Sequence, residues 1–302
     1  MRGADGCAAG GGGRRGETGS TAGPGSGGTV TPTPGVAAPW ALAAATIGAQ
    51  ILYPLTDGSA RDAVTVAVVV LSAATCLVHA TVTRGPRWAG ALLVITAGVG
   101  FVSEVVGTAT GVPYGCYTYA VDRIGPSLLD VPLVVPFAWT AGMYPIWCVA
   151  ERVWRSVPAR LSAVVVAMVG WDLYLDPQMV ADGQWSWCGG PGLPGLLHIP
   201  VTNYAGWLLV AALMAVALHF VDRRCARPGD VPGDGVPVAL FLWTWLGSAL
   251  AHLVFLDAPE LRFSALYGLV AMGTLGLPLV WSTMSARRAT RGRRRAGTRR
   301  LV

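Results

Sequence analysis

Two aspartates one helical turn apart, Asp172 and Asp176 in WDLYLDP, close an apolar run long enough to cross a membrane. At i and i+4 they share one helix face. Two carboxyls crowded in a poorly hydrated place do not both ionise comfortably, so the pair is read as keeping one proton. A carboxylic acid held in that form is a general acid, and the deeper Asp172 is the expected donor. As simple helix caps the two acids would oppose the macrodipole. Pro177 disfavours helical geometry at the preceding residue, which puts the expected helix end there. Trp171 and Tyr174 stand beside the acids and offer ring faces to a cation, worth about 0.5–2 kcal/mol per contact.

Two further stretches could complete such a site. FVSEVVGTATGVPYGCYTYA, residues 101–120, carries Glu104 late in another apolar run. An acid there costs roughly 2.5 kcal/mol or more at the helix centre, so it faces a cavity or a partner. Gly107, Gly111, Gly115 and Pro113 break that helix, and Tyr114, Tyr117 and Tyr119 follow. GQWSWCGGPGLPGLLHIPVTNYAGW, residues 183–207, supplies Trp185, Trp187, Pro200, Asn203 and Trp207. Aromatics of this kind often anchor a membrane interface; beside carboxylates they suggest a pocket wall. His198, His252 and Asp257 could join a mixed metal set, yet their spacing matches no strong ligand motif, so the histidines are read as uncoordinated and no metal or cofactor is expected. His79 and His219 read as interface residues. The absence of G-x-S-x-G, P-loop, G-x-G-x-x-G and H-E-x-x-H leaves hydrolase, NTPase, dinucleotide and metalloprotease readings without a foothold.

The elements that must hold these residues are membrane helices. The chain has 302 residues, 53% hydrophobic and only 13% charged, with a mean hydropathy of +0.52, which is too apolar for a soluble enzyme of this length. It reads as an all-α, multi-pass plasma-membrane protein whose partners are the lipid bilayer and an apolar substrate. The net charge of +6 comes largely from RRATRGRRRAGTRR at 287–300. That describes a tail attracted to a membrane surface, and no nucleic-acid partner is expected. Spanning stretches of about 20 residues fall near 38–56, 62–83, 88–108, 132–151, 158–177, 202–221, 236–256 and 261–283. Between them, Arg84 and Arg87, then Arg152, Arg155 and Arg160, then Arg223, Arg224 and Arg227 fill the even loops, whereas the odd loops hold only Arg61, Arg123 and Arg262. The positive-inside rule then places both termini in the cytoplasm and gathers Glu104, Asp172, Asp176, His252 and Asp257 at the outer side, under loops 109–131 and 178–201. Residues 1–37 read as a disordered Gly/Pro-rich leader without the apolar core of a signal peptide. The catalytic bundle would occupy 38–283 and a basic cytoplasmic tail 284–302. The six cysteines, at 7, 76, 116, 148, 188 and 225, contain no C-x-x-C and read as buried or incidental thiols.

An acid beside aromatic faces in a greasy setting suits protonation of an apolar substrate through a carbocation. EVVGTATGVPYGCYTY, WDLYLDPQMVADGQWSW and IPVTNYAGW together closely resemble the signature regions of the integral-membrane carotenoid biosynthesis family of the CruF type, over about residues 40–283. The resemblance implies a carotenoid hydratase that adds water to the terminal C=C of an acyclic C40 or C50 carotenoid end group, giving a tertiary alcohol without a cofactor, among other enzymes of the same pathway. It carries the family's signature positions onto Glu104, Gly111, Tyr117, Asp172, Asp176, Pro177, Trp185, Trp187, Pro200, Asn203 and Trp207. His198 and Tyr114 depart from the Gly and Phe usual there. In this reading Trp171, Tyr174 and Trp185 shield the cation, and Glu104 positions the attacking water.

Three other readings use the same residues. Asp172 to Asp176 is a D-x-x-x-D, as in membrane prenyltransferases of the UbiA type, where acids hold Mg²⁺ on a diphosphate; the second Asp-rich motif those enzymes need is absent from the sequence. A proton-coupled transporter also uses intramembrane acids. A carotenoid-binding subunit would hold the same molecule unchanged.

Overall fold

The computed structural model describes residues 34–120, 123–225 and 233–298, with side chains from 37 to 285. Among the described residues eight long helices follow one another: α1 Pro34–Leu52, α2 Gly58–Arg84, α3 Pro86–Thr110, α4 Val135–Val153, α5 Val157–Ala181, α6 Val201–Arg224, α7 Gly235–Phe255 and α8 Leu261–Thr298. Six of them, α2, α3, α5, α6, α7 and α8, are long and apolar enough to cross a membrane. The chain is thus an all-α, multi-pass bundle. α4 can be less apolar because little of it meets lipid: Met143, Trp147, Cys148, Val149 and Ala150 are fully buried, and it packs on α2, α5, α7 and α8. Most of the expected leader, up to residue 33, lies outside the described residues, and Pro34 already opens α1.

Small residues set how closely the helices approach. A Cβ on Gly142 of α4 would lie 2.5 Å from the Trp171 ring of α5, so glycine there lets the indole lie against the neighbouring backbone. Two of the prolines inside helices, Pro145 and Pro177, each leave a carbonyl one turn earlier without its helical N–H. The carbonyl freed by Pro145 is Ala141 O, which accepts from the Cys76 thiol. The one freed by Pro177 is Leu173 O, which accepts from Ser264 Oγ of α8 at 2.5 Å. α5 therefore does not end at Pro177 as expected; it runs on to Ala181, because a neighbouring hydroxyl replaces the lost donor.

The loops after α3 and α5 are not loose. β1 Tyr117–Tyr119 pairs antiparallel with β4 Trp185–Trp187, in the register Tyr117↔Trp187, Thr118↔Ser186 and Tyr119↔Trp185. Two short hairpins, β2 Ser127–Leu128 with β3 Val131–Pro132 and β5 Gly192–Leu193 with β6 Leu196–Pro200, complete this end. Next to the β1–β4 pair, Cys116 and Cys188 form a disulfide, which corrects the reading of these two as incidental thiols. Cys76 and Cys148 are free and buried.

At the opposite end of the bundle a buried ion cluster joins four helices. Arg84 reaches Glu151 at 2.6 Å and Asp222 at 3.4 Å, while Trp88 Nε1 donates to Asp222 at 2.6 Å. His79, expected at an interface, is instead buried, with Nδ1 2.8 Å from the Tyr144 hydroxyl.

Candidate active site

Glu104 sits on α3, 5% exposed, and three donors converge on it. Tyr117 and Tyr119 give their hydroxyl hydrogens to Oε2 at 2.6 and 2.8 Å, and Trp139 Nε1 donates to Oε1 at 3.2 Å. Strand alternation explains the pair of tyrosines: residues two apart in β1 point to one face, so Tyr117 and Tyr119 both face the acid while Thr118 faces away. Burial first, and then the Glu104 charge, push both phenols well above their ordinary pKa, so they stay protonated and donate. Gly107 makes room for this contact, since a Cβ there would lie 2.7 Å from the Tyr117 hydroxyl. Gly111, at φ +74°, ends α3 in the left-handed conformation that glycine adopts without strain.

Asp172 and Asp176 are both buried on α5 and meet at one amide: Asn203 Nδ2 lies 3.1 Å from Asp172 Oδ2 and 2.5 Å from Asp176 Oδ2. Trp185 Nε1 donates to Asp176 Oδ1 at 3.1 Å, whereas Asp172 Oδ1 is buried without a partner. The two acidic centres therefore differ in kind. Glu104 has more donors than oxygens; the aspartate pair has more oxygens than donors.

A cavity of about 420 Å³ connects them. Its wall includes Glu104, Asp176 and Asn203, with Tyr114, Tyr117, Tyr119, Trp139, Tyr174, Trp185, Trp187 and Trp207. Trp139 and Trp207 are stacked, ring centres 3.9 Å apart and planes inclined by 19°. Tyr114 is fixed by its hydroxyl on Ser103 at 2.9 Å and by Trp187 Nε1 on its carbonyl at 3.1 Å. Tyr174 donates to Trp245 O at 3.0 Å.

Nearly all the residues singled out in the sequence come together here, with two shifts. Asp172 is fully buried behind Asp176 and is not part of the cavity wall, so the deeper acid is not the one that reaches the cavity. Trp171 also lies outside the wall, edge-on to Trp207 at 5.8 Å, and supports the site from behind. Trp139 was not singled out; a lone Trp within an apolar run gives no sign that its N–H will meet an acid. Gln178 and His252 form a supporting chain, with His252 Nε2 3.0 Å from Gln178 Oε1 and Nδ1 2.9 Å from Ser264 Oγ. His198 and Asp257 are exposed and stand apart from the site. Among the described residues no group of three or more His, Cys, Asp or Glu side chains is arranged to hold a metal ion.

Polar contacts tie the loops beside this site to α2. Arg61 reaches Asp182 at 3.1 Å, Arg123 reaches Asp62 at 2.7 Å, and Gln184 Nε2 donates to Asp62 at 2.6 Å.

A protein-family model described as "Carotenoid biosynthesis protein" matches residues 64–275. Among curated proteins the chain is similar to the bisanhydrobacterioruberin hydratase of Haloarcula japonica, 31% identical over 205 residues. The match covers 65% of this chain and 64% of that protein, so the chain spans just under two thirds of its curated relative. No solved structure matches.

Proposed function

The chain belongs to the carotenoid biosynthesis protein family, and from that premise we propose that it is a carotenoid hydratase, a hydro-lyase of the plasma membrane with both termini cytoplasmic. It adds water across the terminal C=C of an acyclic C40 or C50 end group to give a tertiary alcohol. The observation that carries this reading is the meeting of a donor-poor aspartate pair and a donor-rich glutamate on one aromatic cavity.

Four carboxyl oxygens at the aspartate pair meet N–H donors from Asn203 and Trp185 only. A proton on the pair fills the shortfall, since buried acceptors left unpaired are costly. Asp176, on the cavity wall, passes that proton to the less substituted alkene carbon, and the π electrons form the new C–H bond. The tertiary cation left behind faces the Trp139, Trp207 and Tyr117 rings and the Glu104 carboxylate, which orients a water. The water oxygen bonds to the cationic carbon, and its surplus proton returns to the aspartate pair. Atoms and charge balance as alkene plus water to alcohol, with no redox step. Asp172 backs Asp176, and Asn203 holds the two in register. The Haloarcula relative, named for the hydration of bisanhydrobacterioruberin, supports the same reaction class.

Expression in a host that makes lycopene, followed by mass analysis of its pigments, tests substrate and reaction together. A gain of one water per converted end is expected. Pigment bound without change of mass would mean a binding subunit, proton-driven flux in proteoliposomes without conversion a transporter, and activity abolished by EDTA a metal-dependent prenyltransferase.

A further inference from the structure

Resting on the hydratase reading, we propose that the cleft between the end of α1 and the second half of α7 holds the polyene chain of the substrate, which reaches the acids sideways from the bilayer, one end at a time. The two helices are closed at one level. Trp40 of α1 lies against the start of α7, where a Cβ on Gly235 would come within 3.1 Å of its ring. Toward the acids they part. α1 stops at Leu52 and the chain turns away through a short 3₁₀ segment, Tyr53–Leu55. α7 is interrupted by two π-helical turns, Trp243–Gly247 and Ala251–Phe255.

The gap that results belongs to the cavity already described. Ile51 and Leu55 on one side and Leu250 and Phe255 on the other line the same space as Glu104 and Asp176. All four are at least half exposed. The space therefore runs from the buried carboxyls to the flank of the bundle, and its mouth is apolar, as suits hydrocarbon rather than water. On the roof side the disulfide-linked β1–β4 pair and the Arg61–Asp182 and Arg123–Asp62 ion pairs tie the loops to α2 and α5.

Size selects the occupant. A cavity of about 420 Å³ suits a compact ligand of drug size. It takes an isoprenoid end group with a short length of chain and leaves the rest of a C40 molecule outside. That remainder must leave through the apolar mouth, so the chain occupies the cleft for as long as its end group is at the acids.

A photo-crosslinking residue placed in the full-length protein reads this directly. Benzoylphenylalanine is introduced in turn at Leu55 and Leu250 in the cleft and at Leu209, an exposed position on α6 away from it. Membranes containing an acyclic C40 carotene are then illuminated. Carotene adducts are expected at positions 55 and 250 in about tenfold or greater excess over 209, a preference of the size of one well-made contact. Equal labelling at all three, or adducts with phospholipid chains alone, overturns the proposal. The readout does not depend on turnover: hydration without cleft adducts sinks the cleft, and cleft adducts without hydration sink the hydratase reading and leave the cleft standing. Leu250→Trp adds a second measure. It should slow a C40 carotene by about tenfold, in line with an overpacking penalty, and spare a short acyclic terpene with the same end group, which only passes the mouth. An equal loss for both substrates speaks against the cleft.

Discussion

The two aspartates differ in what they can touch, so their substitutions should not be equivalent. Asp176 reaches the cavity; Asp172 reaches it only through Asp176 and the shared Asn203 amide. Asp176→Asn is expected to lower turnover by about 10²–10⁴-fold, the range for losing a general acid. Asp172→Asn should cost less and should shift the pH profile of hydration, because it changes the proton shared by the pair. Pigment conversion in membranes at several pH values measures both, and equal, full-rate hydration in the two variants would remove the aspartates from the mechanism. Glu104→Gln keeps the shape and discards the charge. It should lower kcat by about 10²-fold or more with little change in KM, because the carboxylate acts on a charge that exists only along the reaction path. EDTA should leave hydration unchanged.

The element that sets the acids' geometry is α5, whose helix passes through Pro177 because Ser264 caps the carbonyl the proline abandons. Ser264→Ala should destabilise the detergent-solubilised protein by about 1–3 kcal/mol, the cost of a buried unpaired carbonyl. In Pro177→Ala the residue 177 N–H returns to Leu173 O and the serine is no longer needed at that carbonyl, keeping only its contact with His252. The double variant should therefore be more stable than the sum of the single effects allows, a coupling that thermal unfolding of all four proteins would show. This element also marks how far the sequence could be read. The apolar runs located the helices, and the Arg distribution grouped Glu104, Asp172 and Asp176 at one end. The continuation of α5 was not legible, because the hydroxyl that permits it lies 91 residues away. The aromatic strands were legible in principle, since YTY and WSW alternate with period two and each abuts a cysteine; read as a pocket wall but not as strands, they gave neither the β1–β4 register nor the disulfide. Asp172 looked the better donor because depth can be judged along one helix, whereas access depends on what the other helices cover.

At the scale of the whole molecule, sidedness organises everything else. In the proposed topology, which follows the arginine distribution, the strand-paired loops face outward, and the Cys116–Cys188 bond suits that side, since disulfides persist in oxidising compartments. Leu197→Cys, exposed in the outer hairpin, should react in intact cells with a maleimide that cannot cross membranes, and Gly233→Cys, at the other end of the bundle, only after permeabilisation. The opposite pattern would invert the topology.

The strand pair that walls the cavity also sets a schedule. Its halves lie on either side of α4 and α5, so a nascent chain that has inserted α3 holds Glu104 and its tyrosines but neither tryptophan nor aspartate. The cavity wall is complete only when β4, α6 and α7 have followed, since Trp185, Asn203, Trp207 and Leu250 all line it. Until then the chain has membrane helices and only part of the wall of the proposed site. On the proposed function the site is assembled late along the chain, and truncated products should be inert toward the pigment around them.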